Sequence, residues 1–419
     1  MSENRVQTGR TSLQSLFGAR IDAPLMLATI AIVCFGLVML ASASISVASR
    51  LTGNPFYYFE RQAVYVVLGF IAAVFVYRLP LALWQRAGMG LLLLAWALLI
   101  LVLLPHVGHV VNGSQRWIGA GVINIQVSEL AKLFITIYLA GYLVRRQDEV
   151  RERFSGFAKP MLVLVIAAAV LLKEPDYGSA VVLMAIGLGM LFLAGARLSQ
   201  FGLFLALTLV AVALLAVSSP YRVARLTSFI DPWADPYNAG FQLTQSLIAI
   251  GSGSWFGVGL GDSIQKLFYL PESYTDFLFA VIAEELGLVG VIVVIALYAV
   301  VVWRSFIIGA RALKSGLPFA AYLAYGLGMW LGMQAFINIG VNMGLLPTKG
   351  LTLPLMSYGG SSMVVNCMAL GLLQRIHRET VEIGALPVAS RKDSGRETAS
   401  RKRKSRTSGD SRRGQREAA

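Results

Sequence analysis

Long apolar runs alternate with short polar segments along most of the chain. A membrane-spanning helix needs about 20 mostly apolar residues. On this criterion the pattern predicts ten spans, which are residues 25–47, 63–77, 88–104, 129–144, 161–172, 178–194, 200–217, 277–303, 318–341 and 353–374. The sequence therefore predicts an all-α, polytopic membrane protein with about ten transmembrane helices.

The composition supports this prediction. Of the 419 residues, 56% are hydrophobic and only 14% are charged, whereas an ordinary soluble domain has about 25% charged residues. This balance excludes a cytosolic globular enzyme and a disordered chain. The two cysteines, Cys34 and Cys367, lie inside apolar runs, so they cannot form a disulfide framework or a metal cluster.

The distribution of Lys and Arg between the spans predicts the orientation. With the N-terminus inside, the inner segments hold 14 Lys or Arg in 69 residues and the outer segments hold 8 in 114. Cytoplasmic loops are enriched in positive charge. We therefore expect residues 1–24 to be a cytoplasmic tail, residues 25–374 to be the membrane domain, and residues 375–419 to be a basic, disordered cytoplasmic tail.

The formal net charge of +14 is concentrated near the C-terminus. Residues 391–419 contain eleven Lys or Arg and four Asp or Glu, so they carry half of the excess. A tail of this kind binds nucleic acid or lies near anionic lipid. Since the chain is a membrane protein, we favour lipid and expect no nucleic-acid partner.

One predicted outer loop, residues 218–276 between spans seven and eight, is much longer than the others. Within it, residues 240–251 have the pattern of an amphipathic helix on the membrane interface. The glycine-rich residues 251–261 lack the GK[ST] ending of a phosphate-binding loop and favour a tight, re-entering turn. Long ordered loops are usually functional, so we expect the chemistry on the outer face.

Ionisable residues inside a bilayer are costly and suggest function. Glu129 and Lys132 are three residues apart on one predicted helix and can touch, either as a structural ion pair or in a polar cavity. Glu284 and Glu285 cannot both face lipid, and we expect Glu284 to face inward and bond to its neighbours. Asp276, at the start of the eighth predicted span, is either a capping acid or a reactive carboxylate.

Small polar residues form a second cluster, SYGGSS at 357–362, within the last predicted span. Such residues allow close packing of helices, or they line a cavity at a break in a helix. The pattern alone fits both.

Five segments carry a family resemblance: NGSQRWIG (112–119), QVSELAKL (126–133), EPDYGSA (174–180), GVGLGDSIQKLFYLPESYTDFLFAVIAEELG (257–287) and LLPTKGLTLPLMSYGGSS (345–362). Together they resemble the shape, elongation, division and sporulation (SEDS) family over residues 25–374. The PTKGLTLP segment resembles the division branch, the FtsW type, more than the elongation branch, the RodA type.

The resemblance implies a SEDS fold and a peptidoglycan glycosyltransferase that polymerises lipid II for the septal wall during cell division. It implies multi-pass placement in the bacterial cytoplasmic membrane, concentrated at the septum. The expected partners are a class B penicillin-binding protein of the FtsI type and other divisome proteins resembling FtsQ, FtsL, FtsB and FtsN. The family's essential aspartate matches Asp276.

The implied reaction joins a sugar hydroxyl to an anomeric carbon that carries a lipid pyrophosphate. A carboxylate that removes the hydroxyl proton contributes about 10²–10⁴-fold, and Asp276 is the candidate base. The leaving pyrophosphate needs positive charge, for which the candidates are Arg116, Lys132 and Lys349, with Arg222, Arg225 and Lys266 as further choices.

The matching motifs add other candidate substrate-binding residues, which are Gln126, Glu129, Ser357, Gly359, Gly360 and Ser361. A divalent cation, Mg²⁺ or Mn²⁺, is an alternative aid to the pyrophosphate, with Asp276 as a ligand. The sequence contains no dedicated metal cluster, and we expect no required cofactor.

Two other functions remain open. A lipid II flippase would need a polar path through the bundle, with which Glu129, Lys132 and Glu285 are compatible. A non-catalytic division scaffold would need no acid at Asp276. An elongation polymerase of the RodA type is the alternative within the family.

Overall fold

The computed structural model describes residues 20–105, 107–111, 114–120, 123–217, 229–238, 240–347 and 350–384. Within these residues the chain forms ten helices of 17 or more residues. They are α1 Ala23–Thr52, α2 Tyr57–Arg78, α3 Leu81–Val102, α4 Val127–Arg145, α6 Phe154–Lys173, α7 Tyr177–Leu193, α8 Leu198–Val217, α10 Leu278–Lys314, α11 Pro318–Asn342 and α12 Gly360–Gly384. Two shorter helices are α5 Gln147–Glu152 and α9 Phe241–Ser252.

Each predicted span falls on one of the ten long helices, which confirms the predicted helical membrane architecture. Six of the described helices are long and apolar enough to cross a membrane on length and composition. The amphipathic segment predicted at residues 240–251 is α9, and it packs against α10 and α11.

Local sequence explains several helix ends. Asp22 precedes α1, and its carboxylate accepts a hydrogen bond from the Leu25 amide at 3.0 Å, as a helix cap does. Gly53 ends the same helix with a φ of 74°, a left-handed conformation that glycine adopts without steric cost.

Helix α4 lies at the centre of the bundle. It packs against α3, α7 and α11, and almost all of its side chains from Val127 to Leu143 are buried. By contrast, α2 and α8 expose large apolar side chains, such as Val64, Phe70 and Leu209. An outward apolar surface of this kind is suited to contact with lipid. The polar residues of α4 are buried, so they lie inside the protein and away from that surface.

The outer segment between α3 and α4 contains a small sheet that the sequence reasoning missed. Its strands are β1 Gly108–Val111, β2 Ser114–Ala120 and β3 Ile123–Gln126, and β2 pairs antiparallel with both neighbours. The strands are too short to stand out in a hydrophobicity pattern.

The last helix begins and ends later than predicted. It starts at Gly360 rather than at residue 353, so Ser357 and Gly359 precede it. It continues to Gly384, which places the first ten residues of the predicted C-terminal tail in the helix. Residues 385–419, which carry the basic run, lie outside the described residues.

Helix α10 is broken at Gly287, where φ is 64° and ψ is −159°. The break leaves backbone groups on both sides without helical partners, and residues 254–259 of the outer loop bond to them. Before the break, the carbonyls of Glu284 and Glu285 accept hydrogen bonds from the amides of Val258 and Gly259 at 3.0 and 3.1 Å. After the break, the amides of Leu288 and Val289 donate to the carbonyls of Ser254 and Trp255 at 3.0 and 3.2 Å. A broken membrane helix is tolerated where other groups satisfy its backbone.

Candidate active site

Asp276 lies just before α10, which begins at Leu278. Asp276 therefore precedes the helix by two residues and does not lie in its first turn. Phe277 holds the capping position, and no side chain caps the helix there. The Asp276 side chain is partly exposed, and no described residue donates a hydrogen bond to its carboxylate. The capping alternative is therefore not supported.

The backbone of Asp276 is held firmly from α11. The side-chain amides of Asn338 and Asn342 donate to the Asp276 carbonyl at 2.9 and 3.0 Å. Asn338 also donates to the Leu351 carbonyl at 2.6 Å. The loop before α12 closes on the carboxylate, because a Cβ atom built on Gly350 would lie 3.1 Å from Asp276 Oδ2.

Arg116, on β2, brings positive charge to this end of the bundle. Its guanidinium donates to the carbonyls of Glu174 and Pro175 at 3.4 and 2.6 Å. It also lies 3.8 Å from a carboxylate oxygen of Asp176. The small sheet is thereby joined to the turn between α6 and α7.

Burial raises the pKa of Asp276 to about 7, and the negative charges of Glu272 and Asp176 add to the increase while Arg116 opposes it. A carboxylate whose pKa lies near the working pH is well suited to general base catalysis. Burial also raises the pKa of Glu174 to about 8, and its carboxyl oxygens have no hydrogen-bond partner among the described residues.

Glu129 and Lys132 form the ion pair that their spacing allows. Lys132 Nζ is 2.8 Å from Glu129 Oε1 and 2.7 Å from Gln334 Oε1, and it lies over the ring of Trp330. The Lys132 side chain is fully buried. The Lys132 ammonium group is therefore paired with protein groups. Gln334 Nε2 extends this hydrogen-bond network to the Thr352 carbonyl at 3.1 Å.

Lys266 is not a free cation. It is buried and bonds to Glu285 Oε1 at 2.7 Å, to Ser42 Oγ at 2.9 Å and to the Gly261 carbonyl at 2.6 Å. The structure thus contradicts its use as an open pyrophosphate site. Glu284 faces inward, as predicted, and accepts hydrogen bonds from Ser263 Oγ and from the Ile264 amide.

The remaining candidates from the motifs mainly hold the loop before α12. The backbone amide of Gln126 donates to Ser361 Oγ at 3.0 Å, which joins β3 to the start of α12. Ser357 Oγ accepts from the Leu353 amide at 3.0 Å. A Cβ on Gly360 would lie 2.4 Å from the ring of Tyr65. These contacts favour the packing interpretation of the SYGGSS cluster.

The Gly359 amide donates to Gln62 Oε1 at 3.3 Å, which ties the same cluster to α2. Three of the proposed cations, Lys349, Arg222 and Arg225, lie outside the described residues.

Comparison with known families identifies the family to which the chain belongs. The model of the family described as "Cell cycle protein", which covers FtsW, RodA and SpoVE, matches residues 23–382. The chain belongs to the FtsW/RodA/SpoVE family. This result confirms the SEDS resemblance.

Curated relatives support the FtsW branch of that family. A probable peptidoglycan glycosyltransferase FtsW from Thioalkalivibrio sulfidiphilus is 61% identical over 391 residues, which cover 93% of this chain and 98% of the relative. Another protein of that name, from Legionella pneumophila, is 54% identical over 359 residues, which cover 85% and 91%.

Solved structures support the fold. A chain from a structure of a peptidoglycan synthase complex, described as coordinating polymerization and crosslinking, has a TM-score of 0.71 and 30% identity and covers 86% of this chain and 98% of its own length. The rod shape determining protein RodA from Thermus thermophilus has a TM-score of 0.64 and 29% identity, with coverages of 86% and 97%.

Sequence reasoning missed the polar residues of α11 in this family member. Gln334, Asn338 and Asn342 recur every four residues in an apolar helix, and all three are buried. Residues four apart lie on one face of a helix. That spacing was the available signal, because uncharged amides do not stand out in a search for charges within spans.

Proposed function

We propose that the chain is a peptidoglycan glycosyltransferase of the FtsW type that polymerises lipid II into glycan strands for the septal wall. The names of its close relatives support the reaction class. The observation that carries the proposal is the carboxylate of Asp276, a half-buried residue, which accepts no hydrogen bond from the described residues. Its pKa of about 7 suits a general base.

Asp276 removes the proton of the acceptor sugar hydroxyl in this reaction. The freed oxygen attacks the anomeric carbon of the donor, a new glycosidic bond forms, and the bond to undecaprenyl pyrophosphate breaks. A positioned base of this kind supplies about 10²–10⁴-fold in rate. The proton stays on Asp276 until solvent or the departing phosphate takes it.

Arg116 is the described cation whose charge acts on Asp276, and it is therefore our candidate for stabilising the leaving pyrophosphate. Lys349, next to Gly350 in sequence, is a second candidate. The described residues contain no group of three His, Cys, Asp or Glu suited to a metal, and Arg116 already lies beside Asp176.

The proposal extends to partners and location. A class B penicillin-binding protein of the FtsI type would cross-link the strands, and the similarity to a chain from a peptidoglycan synthase complex supports such a pairing. Lipid II as substrate, contacts with FtsQ-, FtsL-, FtsB- and FtsN-like proteins, cytoplasmic termini and concentration at the septum complete the proposal.

The flippase alternative receives no support from the buried charges. Glu129 with Lys132, and Glu285 with Lys266, are ion pairs whose lysines also bond to Gln334 and Ser42. A polar path for a sugar headgroup would require these pairs to separate, at the cost of exposing buried charge. A scaffold would not need the arrangement around Asp276.

The test uses the purified full-length protein with its cross-linking partner in lipid vesicles, supplied with labelled lipid II. We expect glycan chains from the native sequence and none from Asp276→Ala, although that variant inserts normally into the membrane. Undiminished chains from Asp276→Ala would overturn the base assignment. Lipid II transport without polymerisation by the native pair would support the flippase instead.

A further inference from the structure

Three buried amide side chains on α11, Gln334, Asn338 and Asn342, form what we call the amide ladder. They lie at successive four-residue intervals and donate to backbone carbonyls outside α11, namely those of Thr352, Leu351 and Asp276. The ladder therefore fastens two loops of the site to one helix.

Asn338 and Asn342 have different tasks in this ladder. Asn342 Oδ1 accepts from the Ala280 amide at 3.1 Å, while its NH₂ donates to the Asp276 carbonyl. It thus satisfies the N-terminus of α10 from a neighbouring helix, where first-turn amides lack helical partners. Its contacts therefore hold the start of α10 and Asp276 just before it.

Asn338 instead joins two separate loops. An amide NH₂ has two donor hydrogens, and Asn338 donates to the carbonyl of Asp276 at 2.9 Å and to that of Leu351 at 2.6 Å. Leu351 follows Gly350, whose backbone lies beside the Asp276 carboxylate. Among the three amides of the ladder, Asn338 is therefore the one that bonds both to Asp276 and to the loop that faces it.

We propose that Asn338 is a positioning residue for glycosyl transfer, which holds the Asp276 backbone against the 350–352 loop so that the carboxylate, to which no described residue donates a hydrogen bond, keeps its catalytic direction. The inference rests on the proposed function of Asp276.

The physical reason lies in how the carboxylate is oriented. Hydrogen bonds to a carboxylate fix its direction but stabilise its charged form and weaken it as a base. Fixing the carbonyl of the same residue gives direction while leaving both carboxylate oxygens available. Because a misplacement of about 1 Å can cost roughly 10²-fold in rate, this anchorage has a large kinetic effect.

The test is steady-state polymerisation of lipid II by full-length Asn338→Ala with the cross-linking partner. We expect kcat to fall by about 10- to 100-fold, with less change in KM. The acid limb of the pH–rate profile should also move to lower pH, because a released carboxylate is better hydrated. Asn338→Ser, which retains one donor, should lie between Asn338→Ala and the native protein.

Asn366 provides a matched control on α12. It is a fully buried amide that donates to Ser362 Oγ at 3.1 Å. Asn366→Ala should lower thermal stability while leaving kcat per folded molecule and the acid limb in place. Amide hydrogen exchange should quicken at residues 274–277 and 350–352 in Asn338→Ala but not in Asn366→Ala.

The outcomes separate the two proposals. If the native protein polymerises lipid II and Asp276→Ala does not, but both Asn338 variants keep the native kcat and acid limb, the positioning role is wrong and the base assignment stands. An Asn338→Ala variant that matches Asn366→Ala in every readout overturns it as well. If the native pair makes no polymer, the proposed function fails and the inference with it.

Discussion

Three acids lie within ten residues at the N-terminal end of α10, and they differ in whether their carboxylates accept hydrogen bonds from the protein. Glu284 and Glu285 are buried and bonded to side chains and backbone of the outer loop. Asp276 has its carbonyl held by two amides, while its carboxylate accepts no bond from the described residues. The two bonded glutamates attach the loop to α10, whereas the Asp276 carboxylate has no such structural contact with the described residues, as the proposed base requires.

The difference is energetic as well as geometric. A buried charge without a partner is strongly unfavourable, so Glu285 depends on Lys266 and Ser42. Asp276 instead meets the cost of burial through a raised pKa. The comparison predicts that substitutions in the first group reduce stability and substitutions at Asp276 reduce the rate.

The largest expected effect is on catalysis. Asp276→Asn preserves the shape of the side chain but removes the base, so polymerisation should fall by about 10²–10⁴-fold with little change in thermal stability. Glu285→Gln should do the reverse and lower thermal stability while keeping the rate per folded molecule. A lipid II gel assay and a thermal unfolding assay in detergent measure both. Equal loss of rate in the two variants, with stability unchanged, would remove the distinction.

The next effect is on the buried pair itself. Lys266→Met leaves Glu285 without its cation, which should lower the free energy of unfolding by about 3–5 kcal/mol. Lys266→Met combined with Glu285→Leu should recover most of that loss, because no unpaired charge remains. Reversible denaturation in mixed micelles gives both values. A double variant no more stable than Lys266→Met would show that the pair contributes more than charge balance.

A smaller effect is expected where the loop meets the broken helix. Gly257 has a φ of 80°, and a Cβ there would lie 2.1 Å from the Glu285 carbonyl oxygen. Gly257→Ala should therefore lower the free energy of unfolding by about 1–3 kcal/mol. Gly261→Ala is the matched control, since its φ is 92° but a Cβ would meet nothing within 4 Å. Equal losses in the two variants would mean that backbone strain alone, and not the contact with α10, matters.

The smallest expected effect is a shift in pH dependence. A base must be deprotonated, so with a pKa of about 7 the rate should fall below pH 7 and level off above it. Glu272→Gln removes a negative charge that raises the pKa of Asp276, and the acid limb should move to lower pH. Burial is the larger cause, so the limb should stay above the ordinary range of aspartate. A limb that does not move would show that Glu272 has no influence on the base.

The helices were predictable because a spanning segment is a local property of composition. The sequence located all ten long helices and also α9. It did not reveal the break at Gly287, because the distortion depends on residues 254–259, which supply the missing hydrogen bonds. The small sheet escaped prediction because its strands are only four to seven residues long.

The site was only partly predictable. The motif around Asp276 singled out that residue, whose catalytic role stays a prediction. Lys266 looked like an available cation because its ion-pair partner Glu285 is 19 residues away and lies on another element, and its second partner Ser42 is 224 residues away. Asn338 was missed because its importance comes from two backbone carbonyls that only the folded chain brings together.

The break at Gly287 also bears on how the protein fits bilayers of different thickness. Residues 288–314 form the part of α10 that follows the break, and at 1.5 Å per residue they span about 40 Å. The hydrocarbon core is only about 30 Å thick, so the charged end of this rod, with Arg304, Arg311 and Lys314, extends into the polar region by an amount that varies with the thickness of the membrane. At the break, backbone groups on both sides bond to residues 254–259, so the segment that follows Asp276 is held by this loop as well as by the helix. The position of Asp276 thus depends on loop contacts, whereas a thinner membrane leaves more of the charged end of α10 in the polar region.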